Sequence, residues 1–278
     1  MRMNVRRILL AWMLGVVVVG PTVAAENPSA KPVIGSASQQ AVTGRPLSVL
    51  FVGNSYTFYN DLPRMVRQMS LDAAQPRPLD VRDVTFGGAS LEAHWNRGVV
   101  QKVLASQHWD YVVIQDFSTM PVDNPEKTRK YVRLMAAEAR KAGAQPILYL
   151  TWARQAIPAM QTQLDSVYTG LANETHSLLA PVGQAWKQAL AATPQPHLFI
   201  EDGSHPSYSG SYLTASVFYS LIYGVQPPAP SPEQAARLDR DSSGSALQGF
   251  AWNSLQAQDL ALRTVPAELR SLPITATR

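Results

Sequence analysis

Two short segments far apart in the chain carry the residue types of acyl-transfer chemistry. Ser55 directly follows the apolar start of FVGNSY (51–56), and Asp202 and His205 stand three residues apart in EDGSHPS (201–207). A serine hydroxyl is a weak nucleophile until a base takes its proton, and a histidine base works best when a carboxylate fixes its tautomer. The pattern predicts Ser55 as nucleophile, His205 as base and Asp202 as the group that orients His205.

A tetrahedral acyl intermediate also needs hydrogen-bond donors for its negatively charged oxygen. The candidates are the Ser55 N–H, a glycine N–H of GGAS (87–90) and the Gln115 side-chain amide. One such donor is typically worth about 3 kcal/mol in the transition state.

A structural interpretation stays open for each of these residues. Ser55 could cap a helix, and Asp202 and His205 could only shape a turn. The two glycines of GGAS could make a tight turn, and Gln115 could satisfy backbone groups at a strand end.

Short apolar runs that alternate with longer amphipathic segments predict the elements that must position these residues. The runs predict five strands at 47–53, 80–86, 109–115, 146–152 and 177–183. The amphipathic segments predict helices near 62–74, 92–106, 125–142, 158–176, 184–192 and 209–224, and the tail from 232 to about 269 has helical character. This rhythm predicts an α/β fold with a parallel sheet covered by helices on both faces. The candidate residues fall at the carboxyl ends of strands, where open parallel sheets bind ligands.

The first 25 residues are typical of a secretory signal peptide. Arg2, Arg6 and Arg7 precede the apolar run 8–20, and TVAA (22–25) offers a cleavage site after Ala25. The run is short against the roughly 20 residues that span a membrane. We expect an exported protein, periplasmic or secreted, with a flexible leader at 26–46, one domain at 47–278 and no stable membrane anchor after cleavage.

Composition excludes several other functions. The chain has no cysteine, which excludes thiolate catalysis and disulfides. The formal charge of +4 falls to about +1 without the three signal-peptide arginines, and no basic stretch with interleaved aromatics indicates nucleic-acid binding. No two histidines stand at a metal-ligand spacing, so we expect neither a metal nor another cofactor; the remaining histidines are His94, His108, His176 and His197.

VGNSYT (52–57) and DGSHPS (202–207) resemble the first and last sequence blocks of the SGNH or GDSL hydrolase superfamily. The resemblance spans roughly residues 47–224 and implies a flavodoxin-like three-layer sandwich with a five-stranded parallel sheet. It implies that Ser55 attacks an ester carbonyl, with His205 as base and then acid and Asp202 behind it. The glycine of the superfamily's second block falls on Gly87 or Gly88, of which we favour Gly88.

Two departures from the superfamily pattern point to one group of esterases within the superfamily. The third block, Gly-x-Asn-Asp, is replaced by IQDFS (114–118), and Asn54 stands where the aspartate of the first block is expected. GGASLEAHW (87–95) with VVIQD (112–116) is similar to sialate O-acetylesterase-like carbohydrate esterases, which implies Gln115 as an oxyanion donor.

These patterns predict a serine esterase that removes short acyl groups, with acetyl as the favoured group, from carbohydrate or envelope glycan. Trp95 and Trp152 could line its pocket or only pack, and Arg154 could bind a substrate carboxylate. Two alternatives stay open, namely an O-acetyltransferase that uses the same three residues and a non-catalytic glycan-binding protein on this fold.

Overall fold

A computed structural model describes residues 45–74 and 77–264 of the chain. The predicted signal peptide at 1–25 and nearly all of the predicted leader lie outside these residues. Five parallel strands form one sheet in the order β2-β1-β3-β4-β5. Their bounds are β1 Leu47–Gly53, β2 Leu79–Thr85, β3 Tyr111–Ile114, β4 Gln145–Tyr149 and β5 Leu178–Ala180. This is the flavodoxin-like strand order, and the predicted α/β fold with a five-stranded parallel sheet is confirmed.

Strand β1 shows why the apolar runs become buried strands. All seven of its residues are buried, with Val49 and Phe51 in the core on one face of the sheet and Leu50 and Val52 in the core on the other. A parallel strand between two helical layers needs apolar residues on both faces, because neither face meets water. Strand β2 lies at the sheet edge and exposes several of its polar side chains.

Eleven α-helices and one 3₁₀ helix, Tyr59–Asp61, are found in the described part of the chain. Their bounds are α1 Ser55–Phe58, α2 Leu62–Asp72, α3 Leu91–Arg97, α4 Val99–Leu104, α5 Met120–Asp123, α6 Pro125–Lys141, α7 Met160–Glu174, α8 Val182–Leu190, α9 Tyr208–Tyr223, α10 Pro232–Arg237 and α11 Gly244–Thr264. The helix predicted at 92–106 is divided, because Gly98 adopts a left-handed φ of 66° between α3 and α4. The short helices α1 and α5 were not predicted, since four residues are too few to show a periodic pattern.

Helices cover both faces of the sheet and enclose two hydrophobic cores. Helices α2, α8, α9 and α11 bury their apolar side chains on one face, and α3, α4, α6 and α7 bury theirs on the other. The predicted helical tail is α10 and α11, with Leu247 and Ala251 of α11 buried in the first core. Within residues 45–74 and 77–264, no helix is both long and apolar enough to cross a membrane.

Candidate active site

The fold brings together Ser55 and His205, which are 150 residues apart in the sequence. Ser55 is the first residue of α1, immediately beyond the carboxyl end of β1. His205 lies in the turn that leads into α9. The Ile200 N–H donates to the His205 carbonyl and the Gly203 N–H donates to the Ile200 carbonyl, both at 3.0 Å, and Gly203 has a φ of 63°. Ser207 then caps α9 by accepting a hydrogen bond from the Gly210 N–H at 3.1 Å.

Ser55, His205 and Asp202 form a continuous chain of hydrogen bonds. The Ser55 Oγ lies 2.8 Å from the His205 Nε2, and the His205 Nδ1 lies 2.5 Å from the Asp202 Oδ2. The other carboxylate oxygen, Oδ1, accepts the backbone N–H groups of Ser204 and His205, both at 2.9 Å. An ionised Asp202 accepts the Nδ1–H, which leaves the Nε2 lone pair directed at the serine hydroxyl.

The surroundings of Asp202 keep it ionised. Its partial burial alone would raise the pKa of the carboxyl, but the hydrogen bonds from the His205 ring and from the two backbone N–H groups outweigh this effect and hold the pKa below its usual value. A negative charge at this place stabilises an imidazolium on His205.

Aromatic rings hold the His205 ring in place. The ring of Tyr59 stacks on the imidazole at a centroid distance of 4.5 Å, and the ring of Tyr56 meets it edge-on at 5.6 Å. Tyr56 also forms a 2.7 Å hydrogen bond through its hydroxyl to Ser204 in the same turn. The sequence analysis missed Tyr59, and the only signal for it was its closeness in sequence to Ser55.

Trp152 stabilises Tyr56 and the turn that carries His205. Its indole stacks between the rings of Tyr56 at 4.5 Å and Trp186 at 3.9 Å, and its Nε1–H donates to the Ser204 carbonyl at 3.0 Å. The side chain is buried and does not reach the cavity beside Ser55. Trp95 does not line that cavity either, and packs against the core under α3. For both tryptophans the structure matches the packing alternative.

Asn54 ties the start of α1 to two neighbouring segments. Its Oδ1 accepts the Tyr56 N–H at 3.1 Å and so caps α1, and its Nδ2 donates to the Ala89 carbonyl at 2.9 Å. An ionised aspartate has no hydrogen to donate to that carbonyl. The departure from the superfamily's aspartate therefore has a local reason. Because Asn54 serves as the cap, the Ser55 hydroxyl is available to His205.

Gln115 is a fully buried partner of Asn54 and not a group that faces the cavity. Its Oε1 accepts the Asn54 N–H at 2.9 Å and the Thr57 hydroxyl at 2.8 Å. Its Nε2 donates to the Asn54 Oδ1 at 3.0 Å and to the Asp116 carbonyl. Both amide hydrogens are used, so this arrangement differs from the prediction of an oxyanion donor and matches the backbone-satisfying alternative.

Two backbone N–H groups remain for an oxyanion. The N–H groups of Ser55 and Gly88 form no hydrogen bond within the described residues, and both residues line the same cavity. Gly88 follows Gly87 in a turn closed by the Ala89 N–H and the Phe86 carbonyl, and its φ of 66° favours glycine at this position.

His94 supports the same strand end from below. Its side chain is buried, and its Nε2–H donates to the Gly53 carbonyl at 2.8 Å. Burial lowers the pKa of the imidazole, which keeps the ring neutral. His94 therefore has a structural role at the end of β1.

The cavity beside Ser55 has a volume of about 220 Å³. Its lining residues are Asn54, Ser55, Tyr56, Gly88, Phe117, Ser118, Arg154, Ser204 and His205. Arg154, a candidate carboxylate-binding residue of the sequence analysis, is part of this wall. Phe117 and Ser118 are further wall residues that no sequence signal indicated. The described residues contain no group of three His, Asp or Glu side chains arranged to hold a metal ion.

Comparison with known proteins identifies the class of fold. A protein from Slackia heliotrinireducens that is described as an SGNH hydrolase is 28% identical and superposes with a TM-score of 0.57 over 64% of this chain and 100% of that chain. A DUF4886 family protein from Bacteroides uniformis is 17% identical, with a TM-score of 0.62 over 77% and 96% of the two chains. An acetylxylan esterase from Geobacillus stearothermophilus is 18% identical, with a TM-score of 0.54 over 66% and 96%.

The chain has the fold of the SGNH/GDSL hydrolases, and the resemblance inferred from its sequence is confirmed. No model of a protein family matches the sequence, and no curated protein matches it either.

Proposed function

We propose that the protein is a serine esterase that removes short acyl groups, chiefly acetyl, from carbohydrate. The observation that carries the proposal is the hydrogen-bonded chain from Ser55 through His205 to Asp202, which opens on a cavity next to two unpaired backbone N–H groups. Neighbours described as an SGNH hydrolase and as an acetyl-xylooligosaccharide esterase support the same class of reaction.

The reaction uses each of these groups in turn. His205 Nε2 takes the hydroxyl proton as the Ser55 Oγ bonds to the ester carbonyl carbon, and the imidazolium is stabilised by Asp202. The N–H groups of Ser55 and Gly88 bind the oxyanion. The bond between the acyl carbon and the sugar oxygen then breaks, and His205 gives its proton to that oxygen. Water, deprotonated by His205, then attacks the carbonyl carbon of the acyl-enzyme. The bond between that carbon and the Ser55 Oγ breaks, His205 returns the proton to the Ser55 Oγ, and the carboxylic acid is released.

The size of the cavity and the neighbours favour a short acyl group. A space of about 220 Å³ is below the 300–1,000 Å³ typical of sites for drug-sized ligands, which suits an acetyl group with part of a sugar ring. Neighbours described as acetylxylan esterases support an acetylated carbohydrate as the substrate class. The signal-like residues 1–25 support export, which would place the enzyme with extracellular or envelope glycans.

The test is hydrolysis of p-nitrophenyl acetate, butyrate and octanoate by residues 26–278. We expect acetate to be the best of the three, and Ser55→Ala to lower kcat by about 10⁶ because the nucleophile is lost. His205→Ala should abolish turnover similarly. Ser106→Ala and His108→Ala are matched controls. Both residues are exposed and lie just before β3, at the amino ends of the strands, whereas Ser55 lies at the carboxyl ends. Retained activity in Ser55→Ala, or no turnover of any ester by folded wild-type protein, would contradict the proposal.

A further inference from the structure

Arg154 brings an unpaired positive charge to the wall of the site. Its guanidinium carries five N–H donors. The structure gives it one hydrogen bond, from Nη2 to the Ser118 Oγ at 3.3 Å. Its Nε is buried without an acceptor, and none of the ion pairs found among the described residues includes Arg154. Most of its hydrogen-bonding capacity is therefore uncommitted.

The backbone around Arg154 is fixed on both sides. The Ala153 N–H donates to the buried Gln161 Oε1 at 2.7 Å, and the Gln155 N–H donates to the Gly203 carbonyl at 2.9 Å. The second bond joins the Arg154 segment directly to the turn that carries Asp202 and His205. The backbone of Arg154 is thus held at a set place relative to the catalytic groups, which reduces the part of the binding entropy cost that comes from ordering the backbone.

No negative charge in the cavity wall compensates the guanidinium. None of the residues that line the cavity is acidic. Two acidic residues, Asp116 and Asp202, lie close in sequence to residues of the wall, but their carboxylates have other partners. The Asp202 carboxylate binds His205. The Asp116 carboxylate accepts hydrogen bonds from the Leu91 N–H, the Phe117 N–H and the Thr128 hydroxyl. A cationic side chain that is partly removed from water is stabilised when a ligand supplies the opposite charge.

We propose that the substrate is an acidic sugar, and that Arg154 binds its carboxylate while Ser55 attacks an acetyl ester on the same residue of the glycan. This rests on the proposed esterase function and names its substrate class. The planar guanidinium matches the two oxygens of a carboxylate. Arg154 is the only Lys or Arg in the cavity wall, and one positive charge suits the single charge of a carboxylate better than a phosphate dianion. The Ser118 hydroxyl beside it offers a further donor.

The experiment compares two matched acetylated sugars, the tri-O-acetyl methyl glycosides of glucuronic acid and of glucuronamide. The two differ in charge and hardly in shape, and acetate release is measured for both. For wild-type protein we expect kcat/KM to be about 10- to 100-fold higher for the uronate, the range expected for one charge-assisted hydrogen-bonded pair. Arg154→Gln should abolish this preference, and Arg154→Lys should keep part of it.

Arg67→Gln is the control for the loss of one positive charge. Arg67 is an exposed residue of α2 that lies near Pro46 and Ser48, at the amino end of β1 and thus at the opposite edge of the sheet from Ser55. We expect it to keep the preference for the uronate. Thermal unfolding of each variant checks that it is folded.

A second measurement does not depend on turnover. In the Ser55→Ala background, methyl glucuronoside should raise the Tm more than the uronamide does, and Arg154→Gln should remove the difference. This result without any esterase activity in the wild type would overturn the proposed function but keep the acidic-sugar site. Equal rates on the two sugars, a preference that survives in Arg154→Gln, or equal losses on both sugars would overturn the role of Arg154 while leaving the esterase intact.

Discussion

Gln115 offers a decisive test, because the sequence and the structure give it different roles. The resemblance to carbohydrate esterases implies that its amide stabilises the oxyanion, whereas the structure gives both amide hydrogens to Asn54 and Asp116. Replacement by methionine keeps the length and apolar volume of the side chain and removes all four hydrogen bonds. The two roles then differ in what is lost.

The structure predicts mainly a loss of stability. Without Gln115, the Asn54 N–H and the Thr57 hydroxyl lose their acceptor, and both residues are almost completely buried, at 2% and 0% exposure. An unsatisfied buried polar group costs about 1–3 kcal/mol. With a smaller loss at the Asn54 Oδ1, which keeps the Tyr56 N–H, the expected loss is roughly 3–6 kcal/mol. This is a large part of the roughly 5–15 kcal/mol that stabilises a typical domain.

The assay is urea unfolding of wild type and Gln115→Met, with kcat/KM for p-nitrophenyl acetate measured on the same preparations. Gln163→Met is the matched control, because Gln163 is exposed and makes one 3.3 Å hydrogen bond to the Val122 carbonyl. We expect the control to lie within about 0.5 kcal/mol of wild type.

An oxyanion donor would behave differently. Its loss would lower kcat by about 10²–10³ and leave the free energy of unfolding unchanged. If Gln115→Met unfolds within about 1 kcal/mol of wild type and loses that much activity, the assignment of Gln115 to a buried structural network is refuted.

Three further predictions concern the same strand end and the Asp202–His205 pair. Gly53→Ala should destabilise the protein by about 1–3 kcal/mol through overpacking, because a Cβ at this position would lie 2.3 Å from both the Gln115 Oε1 and the Thr57 Oγ1. Gly249→Ala is the control in the same unfolding assay. It should be neutral or stabilising, because Gly249 has open space around it in α11. Asp202→Asn should lower kcat by about 10⁴ because the His205 tautomer is no longer fixed, and activity near the wild-type level would contradict the assigned role. Because the folded-state pKa of Asp202 is lowered, its contribution to stability is present above about pH 4 and disappears as the pH falls through the folded pKa. When unfolding is measured between pH 6 and pH 2, the difference in free energy of unfolding between wild type and Asp202→Asn should therefore become smaller below about pH 4. A difference that does not depend on pH would contradict the stabilising hydrogen bonds assigned to the Asp202 carboxylate.

The sequence was sufficient to predict the sheet and the approximate place of the site. Continuous apolar runs identify strands buried on both faces, and their spacing leaves room only for crossover helices, so the parallel order follows from local pattern and connection rules. The sequence did not predict the bounds of every strand. The runs at 109–115 and 177–183 extend beyond the four residues of β3 and the three of β5, because apolar residues such as Trp109 and Val182 are buried outside the strands as well.

The sequence by itself determined which residue types reach the carboxyl edge of the sheet: a serine after β1, a glycine pair after β2, a glutamine after β3, an arginine after β4 and an Asp-x-x-His turn before α9. Only the tertiary structure decided which of them face the cavity. Ser55 and His205 are 150 residues apart and meet because Asn54 takes over the cap of α1 and Tyr59 stacks on the imidazole. Gln115 turns inward to Asn54, 61 residues away, and Trp152 lies between two aromatic rings, whereas Arg154 lines the cavity. The direction of a side chain beyond a strand end is set by partners from distant segments, and no local pattern records those partners.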